Sequence, residues 1–277
     1  MTTWLITGCS TGLGRALASA VLAHGDSAVV TARDVAKVQD LADAYPDTAL
    51  ALPLDVTDAA EIAVAVDAGT ERFGAIDVLV NNAGYGYRAA VEEGDEAEVR
   101  ELFDTHFFGS VATVKAVLPQ MRARRSGTIV NLSSIGARLT PAGSGYYAAV
   151  KSAIEGLTGS LRKELEPLGI TVLVIEPGGF RTDFAGRSLT QTATVIPDYA
   201  DTAGRRRKEN DPTHGTQPGD PEKAAQVILQ VVESGRAPEV LVLGKDAVSA
   251  YRSALEAHLT SLEEWRDLTE NTTFDGH

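Results

Sequence analysis

Tyr147 and Lys151 stand four residues apart in the run Gly145-Tyr146-Tyr147-Ala148-Ala149-Val150-Lys151, which opens a stretch carrying Ile154, Leu157, Leu161 and Leu165 at helical spacing. Four residues make about one helical turn, so the two side chains would stack on one face. A phenol ordinarily titrates near about 10 and is a poor base at neutral pH. An adjacent ammonium favours its phenolate, and such a pair could exchange a proton with an alcohol or carbonyl oxygen. Thirteen residues ahead of the tyrosine, Asn131-Leu132-Ser133-Ser134 closes a short apolar run, and Ser134 could hold that oxygen. A tyrosine four residues before a lysine is also common on solvated helix faces. The pair therefore becomes informative only through the elements that would position it.

The first such element is a glycine turn. An apolar run leads into Thr7-Gly8-Cys9-Ser10-Thr11-Gly12-Leu13-Gly14 and then into the helix-forming Arg15-Ala16-Leu17-Ala18-Ser19-Ala20. Glycines there allow a tight turn and close backbone approach, so a pyrophosphate could sit on the free amides and positive dipole of the helix start. The spacing is not GxGxxG, and an ordinary strand-to-helix turn would also use glycine. At the end of the second apolar run, where an NAD-preferring site places an acid, the chain has Ala32 followed by Arg33. A guanidinium there suits a ribose 2′-phosphate, so the sequence predicts NADP, with NAD possible. The alternative leaves Arg33 on a surface loop and makes Asp34 a helix cap or a ribose partner. With an oxidised nicotinamide nearby, the Tyr147 phenolate would gain a second favourable charge.

Seven apolar runs, at 3–7, 28–31, 49–54, 76–80, 128–132, 170–175 and 239–243, alternate with helical patterns. Near-continuous apolar strands separated by crossover-length helices predict a parallel, doubly wound sheet with helices on both faces, in one α/β domain over 1–277. The longest crossover, 97–125, repeats Val99, Leu102, Phe103, Phe107, Val111, Val114, Leu118 and Met121 at helical spacing and ends in Arg122, Arg124 and Arg125. Between 185 and 219 the periodicity fades and Arg205-Arg206-Arg207-Lys208 meets Pro212, Gly215, Pro218 and Gly219. That stretch reads as a substrate loop or lid at about 185–220, its basic run as a solvated face rather than a clamp for an anionic substrate.

The 277 residues, 44% of them hydrophobic, suffice for a full core. A net charge of -13, with a pI near 4.8, disfavours nucleic-acid and anionic-membrane partners, so any anionic ligand needs a local positive site. One cysteine, Cys9, excludes an internal disulfide framework and a cysteine metal cluster, and no metal site is expected. With no signal-peptide pattern at the start and no apolar run of membrane-spanning length, the expected setting is cytoplasmic.

In combination these motifs resemble the short-chain dehydrogenase/reductase superfamily, in its single-domain branch with a Rossmann fold. The matching residues are Thr7-Gly8, Gly12 and Gly14; Asp55-Val56; Asn81-Asn82-Ala83-Gly84; Ser134; Tyr147 and Lys151; and Pro177-Gly178 followed by Thr182. The match runs from the first strand to Phe184. The resemblance implies an NAD(P)-dependent interconversion of carbonyl and alcohol, with Tyr147 as general acid or base. Lys151 would lower its pKa and hold the nicotinamide ribose, and Ser134 would orient the carbonyl. Gly8, Ser10, Thr11, Gly12, Leu13, Gly14 and Arg33 would take the phosphates, and Asp55 and Val56 the adenine. Asn82, Ala83 and Gly84 would line the cofactor channel, and Pro177, Gly178, Phe180 and Thr182 would hold the carboxamide end. Members commonly pair through their two long helices, here 97–125 and 147–165, giving a homodimer or homotetramer.

One position departs from the family pattern. An asparagine that helps hold a water chain from the lysine to solvent is replaced by His106, which could shuttle protons or could be a satisfied core histidine. The stretches 5–10, 82–86, 176–184 and 241–247 look most like the 17β-hydroxysteroid dehydrogenase-like group, implying a lipophilic or cyclic ketone or alcohol. Tyr85 to Arg88, Ser144, Gly179 and the chain after Phe184 would read its shape. A dehydratase or epimerase relative, or a cofactor-sensing protein without turnover, are the alternatives.

Overall fold

The computed structural model describes residues 1–274 of the chain, with residues 209–213 described as backbone alone. Trp4, Leu5 and Ile6 leave no polar face, and the strand they form, β1 (Thr3–Ile6), is buried throughout. A strand apolar on both faces must be covered on both. Helix α1 (Gly12–His24) returns the chain to β2 (Ser27–Ala32). Then come α2 (Gln39–Ala44), β3 (Ala49–Pro53), α3 (Ala59–Phe73) capped by Asp58, and β4 (Val78–Asn81). Short β5 (Gly86–Arg88), α4 (Glu96–Phe103), a π-helical turn (Asp104–Phe108) and α5 (Gly109–Arg124) lead to β6 (Gly127–Leu132). The rest comprises α6 (Gly136–Leu139), α7 (Gly145–Leu165), β7 (Ile170–Pro177), β8 (Leu189–Gln191), α8 (Ala203–Thr213), α9 (Pro221–Glu233), β9 (Val240–Leu243) and α10 (Lys245–Glu270).

The expected seven-stranded parallel sheet forms in the order β3-β2-β1-β4-β6-β7-β9. Side chains alternate across it. Trp4 and Ile6 join Leu17, Val21 and Ile228 beneath α1 and α9, whereas Leu5 joins Val117, Met121 and Leu161 beneath α5 and α7. The strand order reverses between β1 and β4, which opens a crevice at the carboxyl ends of the strands, where ligands bind in such sheets. Beneath that edge, Asn81 Nδ2 donates to Asn131 Oδ1 at 2.9 Å and Asn131 Nδ2 donates to Thr158 Oγ1 at 2.9 Å. Thr113 Oγ1 donates to Asn81 Oδ1 at 2.6 Å, so one buried chain of bonds fixes β4 and β6 against α5 and α7.

Two expectations are corrected. The crossover at 97–125 is two helices joined by the π turn, whose extra residue lets α4 and α5 both keep their apolar faces inward while His106 is buried and Phe108 is left exposed. The stretch 185–219 is structured. Strand β8 pairs in parallel with β5, the bridge Phe180 to Gly219 ties the stretch down at its far end, and α8 lies over β5. Helix α8 carries no apolar stripe and is held instead by Arg207, whose guanidinium Nη1 and Nη2 donate to the buried Glu93 carboxylate at 2.8 and 2.9 Å. The basic run is therefore not simply a solvated face; Pro212, within the same stretch, is described as backbone alone. Among the described residues no helix is long and apolar enough to cross a membrane.

Candidate active site

At the carboxyl end of β1 the chain turns through Gly8 and Gly12 with φ of 72° and 64°, a region that favours glycine. A Cβ at Gly14 would collide with the Asn82 amide and lie 2.6 Å from the Gly8 carbonyl. Asn82 is the stitch here: its Nδ2 donates to Thr7 O at 2.8 Å and Gly8 O at 3.0 Å, while its own amide and that of Ala83 both donate to Thr7 Oγ1 at 3.0 Å. Thr11, at the N-cap of α1, makes no side-chain cap, and no acid stands in the first turn. The helix start thus presents uncapped amides and a positive dipole end, which suit a pyrophosphate. Thr182 packs 3.4 Å from where a Gly12 Cβ would stand. A groove of about 620 Å³ begins at Thr11, Gly12 and Thr182 but runs outward between α1 and α9, away from Tyr147.

Arg33 is exposed just past β2 and acts electrostatically on Asp55. The neighbouring Asp34 carboxylate accepts from Ala36 N at 3.2 Å and pairs with Lys37 at 3.8 Å, so it is engaged in its own turn. Asp55 Oδ1 accepts from Thr57 N and Oγ1 at 2.9 and 2.7 Å. Burial alone would raise the Asp55 pKa, but those bonds and Arg33 hold it below its ordinary value. Val56 is buried beside it. Gly178 N donates to Leu243 O, and Gly179 N to Asp246 Oδ2 at 2.7 Å, which anchors the Pro177-Gly178 turn to β9 and α10. Thr182 caps the short turn Asp183–Ala185 through Phe184 N.

Tyr147 and Lys151 lie on the first two turns of α7 and are both buried. Ser134, just beyond β6, accepts from Gly136 N at 3.0 Å and is hydrogen-bonded to the Tyr147 phenol. The Phe184 ring covers the phenol ring with centroids 5.7 Å apart. Lys151 Nζ donates to Leu132 O at 2.7 Å and stands 5.7 Å from the Tyr147 ring centroid. Burial pushes the phenol up to about 12, partly offset by the Ser134 bond and the Arg88 charge. Burial likewise pushes Lys151 down to about 7, against the pull of Glu155. Both groups are thus held toward their neutral forms. Desolvation penalises both charged forms, and the cation that acts on the phenol is Arg88.

His106 sits 6.0 Å edge-on from the Tyr147 ring. Its Nε2 lies 3.0 Å from the Tyr85 amide nitrogen and 2.8 Å from the Tyr85 carbonyl oxygen, while Nδ1 is buried with no partner. Burial, reinforced by Lys151, holds its pKa well below that of an ordinary histidine. Gly84 lies flat against the ring, where a Cβ would overlap it.

Sequence reasoning missed the groups beneath the site. Ser133 Oγ donates to Glu155 Oε1 at 2.6 Å, and Arg138 Nη2 bridges Glu155 at 2.8 Å and Glu176 at 3.0 Å. Glu155, one turn beyond Lys151 on the same helix, was a findable signal; Arg138 and Glu176 were not, since only the fold brings them together.

The model of the short chain dehydrogenase family matches residues 2–193. An oxidoreductase of Botryotinia fuckeliana is 39% identical over 267 residues, 96% of this chain and 97% of its own. A 3-ketodihydrosphingosine reductase of Bacteroides thetaiotaomicron is 35% identical over 241 residues, 84% of each chain. The crystal structure of a short-chain dehydrogenase from Streptomyces avermitilis superimposes with a TM-score of 0.92 at 43% identity, covering 99% of both chains.

Proposed function

The chain belongs to the short-chain dehydrogenase family, and from that premise we propose that it is an NADP(H)-dependent reductase of a lipophilic ketone or aldehyde, able to run in reverse on the alcohol. The observation that carries this is the buried phenol of Tyr147, bonded to Ser134 and one turn from Lys151 at the carboxyl edge of the sheet, beside the uncapped start of α1.

The uncapped amides of α1 and the glycine turn fit the pyrophosphate, and Arg33, with Asp34 engaged in its own turn, favours a 2′-phosphate over bare ribose hydroxyls. When bound, the nicotinamide supplies or accepts the hydride. Ser134 and Tyr147 hold the carbonyl oxygen between their hydroxyls. A phenol kept protonated by burial is a ready acid, so Tyr147 passes its proton to that oxygen as negative charge develops there. The phenolate left behind keeps the Ser134 bond and the nearby Arg88 charge. Lys151, with a pKa near about 7, is poised to supply a proton to the phenolate at neutral pH. His106, held neutral, keeps Tyr85 and Gly84 in place beside the cofactor channel, and any proton it passes goes through the neutral ring. The segment from Phe184 through α8 is the lid. The apolar Phe184 and Leu189 side chains, together with a relative named for a ketosphingolipid, support a lipophilic substrate. Pairing of copies through the outer faces of α5 and α7, with Phe108 exposed in the turn just before α5, belongs to the same reading, and the mass in solution tests it.

Loss of the reduced-nicotinamide absorbance with a panel of ketones measures the chemistry. Tyr147→Phe should lower kcat by about 10²–10⁴ while leaving cofactor affinity nearly unchanged. Full activity in that variant would overturn the mechanism, and cofactor binding without turnover of any ketone would favour a sensor.

A further inference from the structure

Arg88 ends β5 and is 7% exposed. Its Nη1 donates to Ser144 Oγ at 2.6 Å, and its Nε is buried with no hydrogen-bond partner. Among the described residues no carboxylate pairs with it, although acids outnumber basic residues in this chain, 38 to 25. After burial itself, the side chain that most lowers its pKa is a cation, Arg206 of α8, next to the Arg207 to Glu93 clamp, with the Tyr147 phenol acting in the opposite sense. A buried guanidinium without a counter-charge is costly.

Ser144 adds an independent observation. It occupies the N-cap of the 21-residue α7 but makes no side-chain cap to it, its hydroxyl being bonded to Arg88. The positive start of a long helix, a serine hydroxyl and an under-bonded guanidinium thus converge on one spot. Ser144 precedes Tyr147 by three residues at the start of α7, so the two side chains are neighbours with Cβ atoms about 5–6 Å apart. The bridge between Ala89 and Ser144 fixes that relation in the backbone.

We infer that Arg88, Ser144 and the first turn of α7 form a receptor for a carboxylate carried by the substrate, a few bonds from the carbonyl that Tyr147 serves. The substrate is then an apolar oxo acid, its body against Phe184 and Leu189 and its carboxylate at Arg88. This rests on the reductase reading and narrows its substrate class.

Matched pairs of γ- and δ-oxo fatty acids and their methyl esters test it through kcat/KM with reduced cofactor. The wild type should prefer the acids, and Arg88→Leu should shrink the acid-to-ester ratio by about tenfold to a hundredfold, mostly through KM of the acids. If acid and ester fall together, Arg88 serves the phenol or the fold and the receptor is overturned. Should Arg88→Leu fail to fold, Arg88→Lys keeps a point charge without the fork and should still cut the ratio; an unchanged ratio overturns the proposal equally. If none of the compounds is reduced, the reductase reading fails by itself. Calorimetric titration of Tyr147→Phe with acid and ester then decides the receptor separately, since equal binding of the two would remove it.

Discussion

Tyr147 and Lys151 are each pushed toward their neutral forms, one up to about 12 and the other down to about 7, although the pair invites an account in which the ammonium creates a phenolate. Both groups are buried, and desolvation acts on each before either can help the other. A protonated phenol can give up its proton, the role that carbonyl reduction asks of Tyr147 in the proposed mechanism. The proposed preference for NADP is tested at the same scale, on Arg33. Arg33→Ala should lower kcat/KM with NADPH by about tenfold to a hundredfold, the worth of a bond to a charged group, and leave the value with NADH nearly unchanged. Equal efficiencies with both cofactors in the unaltered protein would refute the preference.

Helix α8 lacks an apolar stripe, and among the described side chains a buried ion pair, Arg207 to Glu93, docks it. Glu93 accepts from both Arg207 terminal nitrogens, from Ala90 N at 2.9 Å and from Ile196 N at 2.8 Å, which together hold its carboxyl down at about 2. Arg207→Met would leave that carboxylate buried and unpaired, at a cost of about 3–5 kcal/mol. The expected outcome is a lower denaturation midpoint and faster proteolytic cleavage within 193–213. Unchanged cleavage would mean that something else holds α8. Elements of this kind mark where sequence reading stops. The seven strands were legible because the inner ones, buried on both faces, must be apolar throughout and the two edge strands β3 and β9 are also apolar runs, and the glycine turn and Tyr147-Lys151 pair because their spacing is local. The β5 to β8 ribbon is three residues long on each side, and Glu93 and Arg207 are 114 residues apart, so no periodicity or spacing announces either. The π turn hid within one apolar periodicity that runs through both helices it joins.

At the scale of the whole molecule, the sheet order brings together ionisable groups whose opposed shifts shape stability against pH. Glu93 is bound with its pKa lowered to about 2, so its contribution is present above its ordinary 4.5 and is lost as pH falls from there toward 2. Glu176 behaves in the opposite sense. Burial and then the Glu155 charge raise it to about 7, against the pull of Arg138, so the folded state keeps a proton that the unfolded chain releases. Its contribution is full below 4.5 and lost as pH rises to about 7. Lys151, lowered to about 7 from 10.5, restores stability only as pH climbs from 7 toward 10.5. Glu176 and Lys151 together carve a trough in stability around neutral pH for the protein without cofactor, while Glu93 acts only on the acid side. Glu176→Gln mimics the protonated acid and should remove one wall of that trough. The melting temperature of the variant minus that of the unaltered protein should climb between pH 4.5 and 7 and level off above, as read by calorimetry at low ionic strength. A difference that stays flat across that interval would mean that Arg138 keeps Glu176 ionised, and that the buried acid pair stores no proton.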